Sequence, residues 1–124
     1  MEQTRTEQLN GILQSLSLYN PDIEAAAVFS MEGLPVASNL AAGIEEDRMA
    51  ANSAAVLAAS EKVVGELSVG GFEQTFIRGT AGYAIISRAG AEAFLVVIAN
   101  KDAKLGMVFF DIKRIIAQVE QVLA

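Results

Sequence analysis

Cysteine, histidine and tryptophan are all missing from this chain of 124 residues. Without cysteine there is neither a disulfide framework nor thiolate chemistry. Without histidine the chain lacks the commonest acid–base group at neutral pH and the commonest ligand of transition metals. Zinc centres, haem and triad-type nucleophilic sites are therefore not expected, and no cofactor is. Basic residues are also in the minority: 9 Lys and Arg against 15 Asp and Glu give a formal net charge of −6. A nucleic-acid binder needs a basic footprint to displace counterions, and anionic lipid repels an acidic surface. No apolar run approaches the roughly 20 residues of a membrane span. The start, Met1-Glu2-Gln3-Thr4-Arg5, has no apolar stretch of the kind a signal peptide needs. These absences predict a cytoplasmic, soluble chain, one domain over residues 1–124, with no nucleic-acid partner and no membrane insertion.

What the chain has in excess is apolar surface. Hydrophobic residues make up 52%, more than a small monomer easily hides, and this points to a subunit interface. The richest stretch is Glu45 to Leu67, which reads as one long helix. At about 100° per residue, Met49, Val56, Leu57, Val63, Val64 and Leu67 fall on one side. Ala50, Ala51, Ala54, Ala55, Ala58 and Ala59 fall on the other. The large residues are expected on the core. An alanine face lets a second backbone approach closely, here a second subunit's. The alternative is a solvated face made of the best helix former, but such faces usually carry more Lys, Glu and Gln.

The remaining elements follow from period and punctuation. Thr4 and Glu7 make a capping-box pattern, and Leu9, Ile12, Leu13 and Leu16 form a helical stripe that should stop near Tyr19, before Asn20-Pro21. Ile23–Ser30 and Leu34–Asn39 read as a hairpin turning at Gly33. The first strand is apolar on both faces and belongs inside a sheet; Pro35 suits the second to an edge. After Gly70-Gly71, three strands at Phe72–Arg78, Tyr83–Arg88 and Glu92–Ala99 are joined by short glycine-containing turns, an antiparallel meander. A last helix from Leu105 to Leu123 carries a stripe of Val108, Phe109, Ile112, Ile115, Ile116, Val119 and Val122.

The order is α-β-β-α-β-β-β-α, an α/β (α+β) three-layer sandwich. Placing the two strands that are apolar on both faces side by side gives a five-stranded antiparallel sheet of order 2-1-5-4-3. The long helix, roughly 35 Å at 1.5 Å per residue, then crosses one face between the two edges, and the terminal helices cover the other.

This arrangement resembles the Roadblock/dynein light-chain superfamily over essentially the whole chain, and its bacterial or archaeal MglB-like members in particular. The residues that carry the resemblance are the hairpin Ala26–Ser38 with Gly33-Leu34-Pro35, the Ala-rich Met49–Ala59, Gly82-Tyr83-Ala84-Ile85-Ile86, and Leu105-Gly106 opening the last helix. The resemblance implies a profilin-like fold that dimerises edge strand to edge strand with paired central helices. It also implies a platform for a Ras-like small GTPase, whose hydrolysis relatives of the gliding-motility type stimulate.

The chain supports self-association on its own terms, because Phe72–Ile77 has no proline to block edge pairing and only Glu73 and Arg78 as gatekeepers. The expected homodimer interface is Ala51, Ala54, Ala55, Ala58 and Ala59 of the helix at 45–67, with Phe72, Glu73, Gln74, Thr75, Phe76 and Ile77 of the strand at 72–78. Phe72 and Phe76 could equally pack in the core. Arg48, Arg78 and Arg88 are candidate partner contacts, against solvated positions as the alternative.

Catalytic chemistry is not expected. Gly65–Gly71 lacks the P-loop pattern and follows a helix instead of opening one. Glu45-Glu46-Asp47 could hold a hard cation, but acids at a helix start also simply complement its positive end. Ser53 and Ser60 are expected to bond a preceding carbonyl. The leading expectation is a non-catalytic homodimeric regulator or scaffold for a Ras-like GTPase. The alternative is a small-molecule sensor or general protein-interaction module of profilin-like fold; an enzyme is disfavoured.

Overall fold

A computed structural model describes residues 3–124; Met1 and Glu2, part of the polar start read above, lie outside the described residues. The elements are α1 (Arg5–Tyr19), β1 (Ile23–Ser30), β2 (Pro35–Asn39), α2 (Glu46–Glu66), β3 (Gln74–Arg78), β4 (Gly82–Arg88), β5 (Ala93–Asn100) and α3 (Leu105–Leu123). The sheet is antiparallel with order β2-β1-β5-β4-β3, the order predicted from the sequence.

Local chemistry accounts for the boundaries. Thr4 caps α1, its hydroxyl oxygen accepting from the Glu7 amide at 3.1 Å, which satisfies one of the helix's free N–H groups. The helix stops at Asn20, whose extended backbone suits the residue before a proline. The β1–β2 turn places Gly33 at φ +83°, in the left-handed region where glycine carries no Cβ penalty. At the other side of the sheet Gly82 needs its missing side chain for space: a Cβ there would lie 2.7 Å from the Ala99 carbonyl oxygen.

The sheet separates two cores. Under α1 and α3, Leu9, Leu13 and Leu16 meet Ile85, Leu95, Val97, Ile112 and Ile115. Under α2, Ala27, Phe29, Phe94 and Val96 meet Ala50, Leu57, Phe72 and Ile86. The Phe29 and Phe94 rings sit with centroids 5.6 Å apart, and β1 and β5, apolar on both faces, lie at the centre between the two layers.

The face of α2 that meets the sheet agrees with the expectation in part: Met49, Val56, Leu57 and Val64 pack on the core. Its buried line is Ala50, Ser53 and Leu57, whereas Val63 and Leu67, expected on the core, are 51% and 67% exposed. Phe29, Phe72 and Phe94 fill the space beneath the helix together with the small Ala27. Ala54 packs into that core too, and its Cβ lies 3.3 Å from the place where a Gly33 Cβ would stand. Ala50 and Ala54, assigned to the outward face, therefore serve the chain's own interior. Ser60 also differs: its hydroxyl shares a hydrogen bond with Thr75 Oγ1 at 2.6 Å, instead of returning to a carbonyl of its own helix.

Candidate interaction surface

β3 is one of the two edges of the sheet, paired on one side only, with β4, as β2 is with β1 at the other edge. It begins at Gln74, so the strand expected from Phe72 is shorter by two residues. Phe72 is 7% exposed and belongs to the core under α2. It leaves the expected interface, because the irregular backbone before Gln74 turns its ring inward. Glu73 remains extended beside the strand, its carbonyl accepting from the Arg88 amide at 2.9 Å.

Side chains of β3 alternate between the two layers. Thr75 points to α2 and bonds Ser60. Phe76 points to α3, where its ring lies 5.4 Å from Tyr83 and 5.8 Å from Phe109, centroid to centroid. Phe76 and Ile77 are nevertheless 42% and 41% exposed, so an open ladder edge and two apolar side chains coincide. On the α2 layer beside them, Ala51, Ala55, Ala58 and Ala59 are exposed. These four, with Gln74, Thr75, Phe76 and Ile77, are the predicted interface residues that the fold leaves available at or near its surface; Glu73 flanks them.

The three arginines separate. Arg88 is held within the chain: its guanidinium donates to Glu61 at 3.0 Å and to the Gly90 and Ala91 carbonyls at 3.1 and 3.4 Å. It fastens α2 to the β4–β5 turn and is unlike a solvated strand end. Arg48 lies in the first turn of α2, 3.9 Å from Glu45 and largely exposed. Arg78, at the end of β3, is exposed and forms no salt bridge among the described residues. At the start of α2, the Glu46 carboxylate accepts from the Ser38 hydroxyl, which engages part of the acidic cluster considered for a cation.

Beside α3 runs an open groove of about 570 Å³, with Phe109, Ile112, Lys113 and Ile116 along the helix and Gln74 and Ser87 along the sheet. The Gln74 amide donates to the Ser87 hydroxyl at 2.9 Å on its floor. Sequence reading missed a second exposed feature. Phe110 is 64% exposed and Met107 lies beside it on α3, while the Arg114 guanidinium covers the Tyr19 ring at 5.3 Å. The available signal was their position off the α3 stripe, three residues apart. No described helix is long and apolar enough to cross a membrane.

Comparison with known proteins agrees with this geometry. The chain is 32% identical over 92 residues to the uncharacterized protein MJ0310 of Methanocaldococcus jannaschii, covering 74% of this chain and 80% of that one. Its fold superposes on Myxococcus xanthus MglB with a TM-score of 0.89 at 18% identity, over 99% of this chain and 92% of the other. Acanthamoeba castellanii profilin IB follows at 0.66 and 11% identity, over 91% and 97%, so the sandwich is profilin-like. The sequence model of the Roadblock/LC7 domain matches residues 9–99, from within α1 through α2 to the penultimate residue of β5. The chain belongs to the Roadblock/LC7 family.

Proposed function

We propose that the protein is a non-catalytic, cytoplasmic homodimeric regulator or scaffold that binds a Ras-like small GTPase and stimulates or localises its GTP hydrolysis. The observation that carries the dimer is the coincidence, on one side of the molecule, of an unpaired strand edge, exposed Phe76 and Ile77, and the exposed alanines of α2. An edge of this kind is a template for another strand, and a two-fold axis would bring the small faces of both α2 helices together. The GTPase rests on the family resemblance. The chain brings no P-loop, no lysine in a phosphate cradle and no histidine or cysteine, so hydrolysis would be performed by the partner. Its own contribution would be to order the partner's switch segments. Sedimentation equilibrium tests the first half: a species near 13.1 kDa at micromolar concentration would overturn the dimer. Affinity capture from the source cell with GDP or a GTP analogue tests the second. Retention of a Ras-like GTPase that depends on nucleotide supports the reading, and no GTPase under either condition refutes it.

The groove beside α3 favours a second reading, a small-molecule sensor. Its size falls within the range of about 300–1,000 Å³ usual for ligand sites, and its apolar walls carry a few polar groups. A melting temperature unmoved by a metabolite library would count against it.

A further inference from the structure

We infer that the groove beside α3 receives an amphipathic helix of a protein partner, apolar on one face and flanked by basic residues. Such a partner does not need the dimer, and it claims the groove of the second reading above for a protein segment in place of a metabolite. The groove exists because this layer is short of helices. A helix is about 10–12 Å across with its side chains and strands lie about 4.8 Å apart, so one helix covers about two strands. On this face α1 packs on β1 and β2, α3 packs on β5, and Ile85 of β4 lies in the core they share. The β3 side is left open, and Phe76, which points to this layer, keeps 42% of its surface exposed.

The shape of the opening suits a helix. Phe109, Ile112 and Ile116 give α3 an apolar wall there, on successive turns of one helix side. Past Gly90 and Glu120 the groove runs on into a second hollow of about 350 Å³ that reaches Leu123. From Phe109 to Leu123 is roughly 21 Å along the axis at 1.5 Å per residue, the length of a helix of about four turns. Helix-in-groove recognition sets apolar anchors at i, i+3 or i+4 and i+7 against such a floor.

Charge sets the sign of the partner. Glu73, Glu92 and Glu120 stand around the two hollows, exposed and in no salt bridge among the described residues. Facing them are Lys113 and Arg88, and the Arg88 guanidinium is already held by Glu61. An acidic rim on an apolar floor attracts and orients a basic amphipathic segment and repels an acidic one. A second copy is the poorer occupant, because its own formal net charge is −6 and like charges repel.

The probe is a labelled synthetic helix of about four turns, leucine along one face and lysine at its flanks; its counterpart has glutamate in place of lysine. Fluorescence anisotropy is expected to show the lysine helix binding the full chain about tenfold or more tightly than the glutamate helix. Glu73→Lys combined with Glu120→Lys is expected to invert that preference. Glu24→Lys combined with Glu32→Lys changes the net charge equally outside the groove and should leave the preference in place. Lys113→Glu, at an exposed position, is expected to tighten the lysine helix further, and it decides the question should the first pair fail to fold. A preference lost equally in both double variants would mean attraction by net charge alone and overturn the groove. Equal binding of the two helices, or binding of neither, would overturn it too. Self-association beyond a dimer that vanishes in the Glu73→Lys, Glu120→Lys protein would give the groove to a second copy and refute the partner. A metabolite that raises the melting temperature while neither helix binds would return the groove to the small-molecule reading.

Discussion

Ala50 and Ala55 carry the same side chain on the same helix and meet opposite surroundings. Ala50 is fully buried against the sheet, and Ala55 is exposed. Ala50→Glu would bury a carboxylate with no partner, a change that costs several kcal/mol, and is expected to unfold the protein. Ala55→Glu should leave circular dichroism and the fold intact while converting dimer to monomer in sedimentation. An Ala55→Glu protein of unchanged mass would remove this face from the interface. Gly82 is a second decisive residue. Gly82→Ala drives a Cβ to 2.7 Å from the Ala99 carbonyl oxygen, a clash between backbones that neither strand can relieve by a rotamer change. A loss of about 1–3 kcal/mol is expected in urea unfolding. Arg88 illustrates the limit of reading charges from sequence. Its candidacy as a partner contact rested on its place at a strand end; the Gly90 and Ala91 carbonyls that engage it are local to the β4–β5 turn, but Glu61 reaches it only through the crossing of α2.

Among elements, α1 and α3 are joined by polar as well as apolar contacts. The Asn20 amide donates to the buried Asp111 carboxylate at 2.9 Å, and Arg114 reaches the same carboxylate at 3.5 Å. Asn20 also accepts from the Asp22 amide at 3.1 Å, so one side chain ends α1, shapes the entry to β1 and docks on α3. Asp111→Ala leaves the Asn20 amide without its buried acceptor, and a loss of about 1–3 kcal/mol is expected in chemical denaturation. A melting curve identical to that of the parent would refute this role. The elements themselves were largely legible. Alternation, helical stripes and the Asn20-Pro21 and glycine punctuation placed all eight within two or three residues, because these signals are local. The rotation of α2 was legible in part. The stripe of large residues marked the core at Met49, Val56, Leu57 and Val64, but Val63 and Leu67 stay exposed while Ala50 and Ala54 turn inward. Phe72, which the sequence left open between interface and core, turns inward, and only the tertiary structure chose between the two.

At the scale of the molecule, the prediction concerns who performs chemistry. The isolated protein is expected to hydrolyse no GTP; turnover by the purified chain, abolished by no contaminant removal, would contradict the scaffold reading. With a cognate GTPase present, stimulation by positioning should survive Arg48→Ala and Arg78→Ala taken singly. Loss of stimulation with binding retained in either variant would assign that residue to the developing phosphate charge, where arginines supplied in trans act. Arg88→Ala is the less informative replacement, because its guanidinium already serves the fold.

By itself the sequence determined the element order and the sheet order. Periodicity dictates which segments are helix or strand, two strands apolar on both faces belong at the centre, and a strand carrying proline suits an edge. The tertiary structure decided which surface is left over. Whether an alanine is a floor or a façade depends on the residue across from it, and whether an arginine is available depends on which carbonyls and carboxylates the fold brings within hydrogen-bond reach. Those are distances between segments far apart in the chain, and no local pattern encodes them.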